Sequence, residues 1–286
     1  MDTVTFFWTL AATLLAGIQL FFQKVVAQEK RDSAFNGLMM YSISGVLAAV
    51  LLFVGQAVPT EWKLIALFGL LSGATHSLGN FIRIEGLKYI DSVIYFPINK
   101  VLGPVLVVFG GVLIFSESLS TQQYIGIVCS LTVPLLLISS IEHLRQNNLR
   151  YGIWFVVIST TLTSISILLT KRVIGLDLNV LFLLATTQIA GVVSSGALLV
   201  RKKRSLSHLD RRDVLLGLVA GLLGFASYFA LLKALSTGLI SIVYVIQAHY
   251  ILIPIILSVW WYKEHINMRK IIAVAVSFLA IGLLYK

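Results

Sequence analysis

Residues 86–137 read GLKYIDSVIYFPINKVLGPVLVVFGGVLIFSESLSTQQYIGIVCSLTVPLLL, and residues 234–284 read ALSTGLISIVYVIQAHYILIPIILSVWWYKEHINMRKIIAVAVSFLAIGLL. The two stretches follow one order: an apolar segment containing proline, a glutamate at the start of a short polar loop, and a second apolar segment. The glutamates, Glu117 and Glu264, lie 147 residues apart. We therefore interpret the chain as an internal duplication of apolar helices, with a site at the interface between the two copies.

Other spacings repeat nearly the same offset. Lys24 in FFQKVV and Lys171 in LLTKRV are also separated by 147 residues. Four small residues recur at a separation of 148: Gly69 with Gly217, and Gly73 with Gly221. Small residues let helix backbones approach closely, so we predict that these glycines are packing positions.

The composition is that of an integral membrane protein. Hydrophobic residues make up 58% of the 286 residues, charged residues only 12%, and the mean hydropathy is +0.94. Soluble domains are about half apolar and about a quarter charged. The net charge of +10 does not indicate nucleic-acid binding, because the basic residues lie between apolar runs rather than on one polar face. Cys129 is the only cysteine, which excludes a disulfide framework or a thiol metal cluster, and no metal or cofactor is predicted.

Ten apolar segments are long enough to cross about 30 Å of hydrocarbon, which takes about 20 residues. They lie near 4–26, 35–57, 62–87, 91–114, 121–140, 151–172, 179–200, 213–234, 239–260 and 267–285. Because backbone polar groups in lipid must be satisfied within the segment, these segments are predicted to be helices. The predicted fold is all-α, with ten transmembrane helices as two inverted five-helix repeats, the first over 1–140 and the second over 151–286.

The basic residues are distributed unequally between the two sides of the membrane. Sixteen of the 22 Lys and Arg residues lie in or beside the loops after helices 1, 3, 5, 7 and 9, five lie on the other side, and Lys100 lies within helix 4. Since basic loops stay in the cytoplasm, both termini are predicted on the non-cytoplasmic side of the inner or plasma membrane. The basic run 201–204 is interpreted as part of this signal, with an anionic-lipid site as the alternative.

The two quoted stretches resemble the EamA domain of the drug/metabolite transporter superfamily. The resemblance rests on an A/G-L-x-Y-I-like helix end, Pro104 in the next helix, Glu117 before a short loop, and a Gly-rich helix containing Gly126. The second copy repeats this order with Pro254 and Glu264, and the ten-helix layout extends the resemblance over essentially the whole chain. It implies secondary transport of a small solute: amino acids, other metabolites, cationic drugs, sugars or phosphorylated sugars. The proline precedes the glutamate by 13 residues in the first copy and by 10 in the second, so the bends of helices 4 and 9 are expected to differ.

Three ionisable residues lie near the middle of predicted spans: His76, Lys100 and His249. Such groups are costly in lipid unless they face a cavity or a partner. Lys100 is about ten residues, or about 15 Å, from either end of its helix. This distance disfavours the alternative, in which the lysine side chain extends to the membrane interface. We predict that Lys100 is the counter-charge for a substrate carboxylate or phosphate. For each histidine, substrate binding and a neutral hydrogen-bonded ring between helices are the alternatives, and a histidine is also a candidate carrier of a coupling proton.

Helices 4 and 9 carry matching polar positions. Tyr95 in SVIY and Tyr244 in SIVY are 149 residues apart, and Asn99 and Gln247 follow them. Both helices also contain proline, which frees a backbone carbonyl that a cavity or a neighbouring helix must satisfy. These helices are therefore predicted to line a central cavity, with all four residues as candidate substrate ligands.

Further polar candidates for the cavity lie on helices 1, 3 and 8: Gln19, Gln23, Asn80 and Tyr228. Hydrogen bonding between helices explains each of them equally well. Arg83 and Glu85 are interpreted as ion-paired residues at the membrane interface, with an entrance role for Arg83 as the alternative. The hydroxyl-rich run STTLTSIS at 159–166 is interpreted as a packing surface.

No Asp or Glu lies in the middle of a span, so a carboxylate proton relay and a glutamate site for organic cations both lack a candidate. Together with Lys100, this absence favours zwitterions or anions as substrates. No phosphate-binding loop of the G-x-x-x-x-G-K-S/T type is present, so energy is expected to come from a gradient.

The sequence predicts a secondary active transporter that moves an amino acid or another carboxylate-bearing metabolite by alternating access, in the direction of export. The alternatives are an integral-membrane enzyme acting on lipid-linked substrates, a scaffold or receptor, and a transporter of sugars or organic cations. An enzyme is disfavoured because the five histidines are scattered. The expected partners are a small-molecule substrate, the lipid bilayer and a coupling proton, but no nucleic acid, and the protein is expected to be a monomer or homodimer.

Overall fold

The computed structural model describes an all-helical chain. It describes residues 1–29, 31–55, 59–86, 89–90, 92–137, 149–174, 179–201, 210–263 and 267–285. The helices are α1 (Thr3–Gln28), α2 (Ser33–Gly55), α3 (Trp62–Gly86), α4 (Ser92–Phe115), α5 (Thr121–Leu136), α6 (Leu149–Ile174), α7 (Val180–Arg201), α8 (Arg211–Thr237), α9 (Ile240–Ala248), α10 (Leu252–Tyr262) and α11 (Met268–Tyr285). The predicted all-α class is confirmed, and no strand occurs in these residues.

The protein is a multi-pass membrane protein. Nine helical stretches in the described ranges are long and apolar enough to cross a membrane. One of them, Ile240–Trp261, runs through α9, a single 3₁₀ turn at His249–Ile251, and α10. The remaining helix, α5, is described over 16 residues. Glu264, the residues 202–204 of the basic run and the predicted boundary at residue 140 lie outside the described residues.

The ninth span differs from the predicted single helix over 239–260. Its backbone changes to a 3₁₀ turn at His249–Ile251, one turn before Pro254. Proline has no backbone N–H and its ring crowds the carbonyl four residues earlier, which here belongs to Tyr250, so the regular helix ends at this point. The fourth span contains Pro97 and Pro104 but remains one helix. The expectation that the two bends are not equivalent is therefore confirmed.

Contacts between helices follow the symmetry of a duplicated chain. Helix α1 packs mainly on α8, and its repeat counterpart α6 packs mainly on α3. In the same way α2 packs on α7 and α8, and α7 packs on α2 and α3. The two repeats are therefore interleaved, and because each contains an odd number of helices, they are inverted across the membrane.

The four predicted packing glycines lie at close helix contacts. A Cβ atom on Gly73 would lie 2.3 Å from the carbonyl oxygen of Thr187, and one on Gly217 would lie 2.6 Å from the Cβ of Met39. Gly69 and Gly221 face side chains of α7 and α2 at similarly short range. The prediction of close packing is confirmed: these glycines bring α3 against α7, and α8 against α2.

Candidate functional site

A cavity of about 250 Å³ lies between the two repeats. It is lined by α1–α4, α6–α9 and the 3₁₀ turn of the ninth span. Lining positions recur every three to four residues, as at 73, 76, 80 and 83 on α3, because one face of each helix points inward. The predicted central cavity lined by the fourth and ninth spans is therefore confirmed.

Lys100 from the first repeat meets Tyr250 from the second inside this cavity. Its Nζ donates a hydrogen bond to the Tyr250 hydroxyl and lies 3.9 Å from the centroid of the tyrosine ring. Tyr250 belongs to the 3₁₀ turn near the middle of the ninth span, through which the backbone stays helical. The lysine ammonium is thus held at the cavity wall by a neutral partner that leaves its charge uncompensated.

Arg83 and His76 also line the cavity, both from α3. They are seven residues apart, which places them on one face of the helix, two turns from each other. The described residues give neither side chain a hydrogen-bond or ion-pair partner. We predicted Arg83 as an ion-paired residue at the membrane interface, but in the described residues it has no ion-pair partner and lines the cavity instead. Arg83 adds a second basic group to the cavity wall, beside Lys100.

Two buried polar groups of the cavity lack partners. Ser44 on α2 is 1% exposed and Gln188 on α7 is 6% exposed, and both line the cavity. Within the described part of the chain, the Ser44 Oγ and Gln188 Oε1 atoms make no hydrogen bond. Buried polar atoms are usually satisfied, so these two are available to a polar ligand or to water.

Four other predicted ligands on the cavity wall make hydrogen bonds between helices. Asn80 donates to the Tyr41 hydroxyl at 3.0 Å, and Asn99 donates to Thr160 at 2.7 Å. Gln19 donates to the Ala220 carbonyl at 3.3 Å. Tyr228 has its hydroxyl 3.4 Å from that of Thr170. Tyr244 and Gln247 also line the cavity.

Two of the eleven predicted site residues do not line the cavity. Tyr95 is fully buried, and its hydroxyl is bonded to Ser159 of α6. His249 is 5% exposed, with Nδ1 3.0 Å from the Val245 carbonyl oxygen and 3.1 Å from that of Ile246. Since a carbonyl only accepts, this nitrogen carries the proton, and the described residues offer no partner to Nε2. The 3₁₀ turn brings Tyr250, rather than its neighbour His249, to Lys100.

Several lining residues were not predicted. Tyr250, Tyr41, Ser44 and Gln188 carry no signal that separates them from ordinary membrane-helix residues. Arg83 has such a signal, because it continues the three- and four-residue spacing of His76 and Asn80. The packing interpretation of 159–166 is partly wrong: Ser166 does bond Ser72 of α3, but this run also provides Thr160, Thr163 and Ser166 to the lining.

The two repeats contribute different kinds of side chain to the cavity wall. Among the described lining residues, the basic side chains are His76, Arg83 and Lys100, and all of them belong to the first repeat. The counterparts of His76 and Arg83, offset by 148 residues, are Gly224 and Leu231, which also line the cavity. The lining residues that the second repeat provides are apolar, hydroxyl or amide groups. The inward-facing positions are therefore repeated, whereas the positive charge is confined to one repeat.

At one end of the bundle, Glu117 and Lys171 bond the backbone where α8 ends and α9 begins. Glu117 is 8% exposed and accepts backbone hydrogen bonds from Ile240 at 2.6 Å and Ser241 at 3.0 Å, where α9 begins. Lys171 donates to the carbonyls of Leu235 at 2.6 Å and Gly238 at 2.7 Å, where α8 ends. A carboxylate at a helix start and an ammonium at a helix end both complement the helix dipole.

The backbone that precedes Glu117 is also repeated. Ser116 has a φ of 53° and Lys263 a φ of 54°, both in the left-handed region, and each directly precedes one of the two repeated glutamates. Left-handed backbone is uncommon for residues other than glycine. Such a turn after α4 directs the chain so that Glu117 reaches the start of α9.

A charged cluster around Arg31 lies at the opposite end of the bundle. Its guanidinium bonds Glu29 at 2.7 Å and Asp210 and Asp213 at 2.8 Å, and Arg212 also bonds Glu29. The hydrogen bond from Arg31 lowers the pKa of Asp210 to about 2 and holds the pKa of Glu29 below its usual value. The cluster joins the loop after α1, in the first repeat, to the beginning of α8, in the second.

Comparisons with known proteins agree with this architecture. The family model for the EamA-like transporter family matches residues 3–139 and again residues 150–286. A solved structure described as "Crystal structure of protein" is similar with a TM-score of 0.78 at 13% identity, over 99% of this chain and 96% of that one. That likeness shows the fold alone. No curated protein matches the sequence.

Proposed function

Since the chain belongs to the EamA-like transporter family of the drug/metabolite transporter superfamily, we propose that it is a secondary active transporter of a small carboxylate-bearing metabolite, such as an amino acid. It exposes the central cavity to the two sides of the membrane in turn. The proposed role is transport rather than catalysis.

The observation that carries this proposal is the charge of the cavity. Lys100 and Arg83 line it, and none of the described lining residues is acidic. Positive groups in a site of low dielectric constant attract an anion more strongly than they do in water. A volume of about 250 Å³ is below that of most drug-sized pockets, which supports a small metabolite.

Contacts between the repeats at the two ends of the bundle support alternating access. Glu117 links the first repeat to α9 at one end, and Arg31 links the first repeat to α8 at the other. Opening one end while the other stays bonded would expose the cavity to a single side of the membrane. Lys100 and Tyr250 come from different repeats, so a relative movement of the two repeats would change the contacts of a solute held between them.

The energy source and the direction are part of the proposal. We propose coupling to a proton or substrate gradient, with His76 as the proton carrier because its ring lines the cavity without a protein partner among the described residues. We propose export across the cell's inner or plasma membrane, with both termini on the non-cytoplasmic side, from the distribution of Lys and Arg. One chain contains both repeats and the whole cavity wall, so a monomer suffices for this mechanism, with a homodimer as the alternative.

Ligand-induced thermal stabilisation of the detergent-purified protein tests the proposal. The panel is amino acids, organic acids, phosphorylated sugars, sugars and organic cations, each measured on wild type, Lys100→Ala and Lys63→Ala. A ligand at about 100 times its Kd adds about 2.7 kcal/mol to a two-state protein. We expect a carboxylate-bearing solute to stabilise wild type and Lys63→Ala, whose exposed lysine lies at the start of α3, but not Lys100→Ala. Stabilisation by organic cations alone would contradict the proposal.

A further inference from the structure

Two positive side chains face one small cavity without a protein counter-charge. Lys100 is hydrogen-bonded to the neutral Tyr250, and Arg83 has no bonded partner in the described residues. The acidic residues that the structure describes lie outside the helices or in their first or last turns, and none of them lines the cavity. Within the described part of the chain, the cavity wall therefore offers no carboxylate that could neutralise either cation.

The two cations line the same small cavity. Lys100 bonds the Tyr250 hydroxyl from α4, and Arg83 lines the wall from α3. Two like charges in a region of low dielectric constant repel each other, and they do so more strongly when water leaves. Alternating access requires a state in which the cavity is closed at both ends and most of its water has been displaced.

The net charge of the solute decides whether that closed state is neutral. A zwitterion leaves both positive charges uncompensated, and a monoanion leaves one. A solute with two negative charges compensates both. We propose, resting on the transport function above, that the substrate is a small dianion whose acidic oxygens face Arg83 and Lys100 together.

The neutral part of the wall fits such a solute. Ser44 offers a hydroxyl without a partner, and Tyr41 has a hydroxyl that already accepts from Asn80 and so keeps its proton for a ligand. Both residues line the cavity on α2. Two chemical sources give this charge: two carboxylates on a short chain, or one phosphate monoester, which carries about −1.5 to −2 near pH 7.

The test is equilibrium binding to the purified full chain at constant ionic strength and pH 7.5. The probes are succinate, glycerol 3-phosphate, butyrate, alanine and tetraethylammonium, on wild type, Arg83→Gln and Lys63→Gln. Lys63 is the matched control because it also removes one positive charge from α3, at the exposed end away from the cavity. We expect succinate or glycerol 3-phosphate to bind at least tenfold more tightly than butyrate and alanine. Arg83→Gln should weaken the dianion at least tenfold and change butyrate less than threefold, and Lys63→Gln should change neither.

The opposite results separate this inference from the proposed function. If butyrate or alanine binds as tightly as the dianions and Arg83→Gln has no effect, the inference of a dianionic substrate is wrong. The proposal of a carboxylate transporter would then still stand. Binding of tetraethylammonium alone overturns both. If Arg83→Gln does not fold, the inference can be tested on wild type alone by measuring affinity at increasing salt concentration. The affinity of a dianion should fall more steeply with added salt than that of butyrate. Equal salt dependence of the two affinities would overturn the inference.

Discussion

Lys100 and Tyr250 join the two repeats at the wall of the central cavity. The ammonium comes from the fourth span, and the tyrosine comes from the 3₁₀ turn within the ninth. The duplicated halves therefore do not present identical surfaces to each other. One contributes a charge, and the other contributes the neutral group that positions it.

Replacing Tyr250 by Phe removes the hydroxyl and retains the ring. Hydrogen bonds to charged groups contribute about 1.5–3 kcal/mol, so a carboxylate ligand that depends on the position of Lys100 should bind about tenfold more weakly. Titration of the ligand that stabilises wild type measures this. Tyr151→Phe, at an exposed tyrosine of α6, is the control and should bind normally. Equal affinities for Tyr250→Phe and wild type would show that the bond does not position Lys100 for the ligand.

Glu117→Gln weakens the joint between the first repeat and α9. The carboxylate accepts two backbone hydrogen bonds in a buried position, and an amide has one acceptor oxygen and no charge. We expect a loss of about 1–3 kcal/mol in the free energy of unfolding. Chemical denaturation in detergent measures it against Glu61→Gln, an exposed residue that should cost at most about 1 kcal/mol. The same small loss in both variants would mean that the α9 contact contributes little.

Gly73→Ala tests the close approach of α3 and α7. Its Cβ would lie 2.3 Å from a backbone carbonyl, which cannot move without separating the helices. Overpacking of this kind costs about 1–3 kcal/mol, so the apparent melting temperature should fall. Gly282→Ala is the matched control in α11, where nothing lies within 4 Å of the added atom, and it should be neutral or stabilising. A tolerated Gly73→Ala would place α3 and α7 farther apart than described.

The cluster at Arg31 should make stability depend on acid pH. Asp210 has a pKa of about 2 in the folded chain against 3.8 for the ordinary group, and the pKa of Glu29 is also lowered. A lowered carboxylate pKa stabilises the folded state above the unfolded value, and this contribution is lost as pH falls from about 4 to about 2. Arg31→Gln should therefore be less stable than wild type at pH 6, with the difference shrinking towards pH 2.5. Unfolding experiments across this range measure it, and a difference that is constant with pH would exclude the cluster as its source.

Much of the fold follows from the sequence because the membrane leaves few alternatives. A long apolar segment in lipid must be a helix, and the 147-residue spacing of Glu117 and Glu264 exposes the duplication. The 3₁₀ turn in the ninth span was not predicted at its position. Proline frees a carbonyl, but whether the helix bends or changes to a 3₁₀ turn depends on packing, since Pro97 and Pro104 leave α4 continuous.

The same turn limits how far the site could be predicted. Polar residues near the middle of a span, such as Lys100 and His76, do line the cavity because lipid is a poor environment for them. The 149-residue offset between Tyr95 and Tyr244 would pair Lys100 with His249, but the residue that meets Lys100 is Tyr250, in the 3₁₀ turn. Arg83 was assigned to the membrane interface because it lies near a helix end, although its spacing from His76 places it on the cavity face. That these residues bind substrate stays a prediction.

Release of solutes from proteoliposomes tests the central claim most directly. Vesicles containing wild type, Lys100→Ala, Lys63→Ala or no protein are loaded with a defined mixture of carboxylic acids, phosphate esters, amino acids, sugars and organic cations, and the retained solutes are measured by mass spectrometry. We predict that one or a few acidic solutes leave vesicles containing wild type or Lys63→Ala and stay in those containing Lys100→Ala or no protein. Loss of cations or sugars alone, or equal release by wild type and Lys100→Ala, would contradict the account.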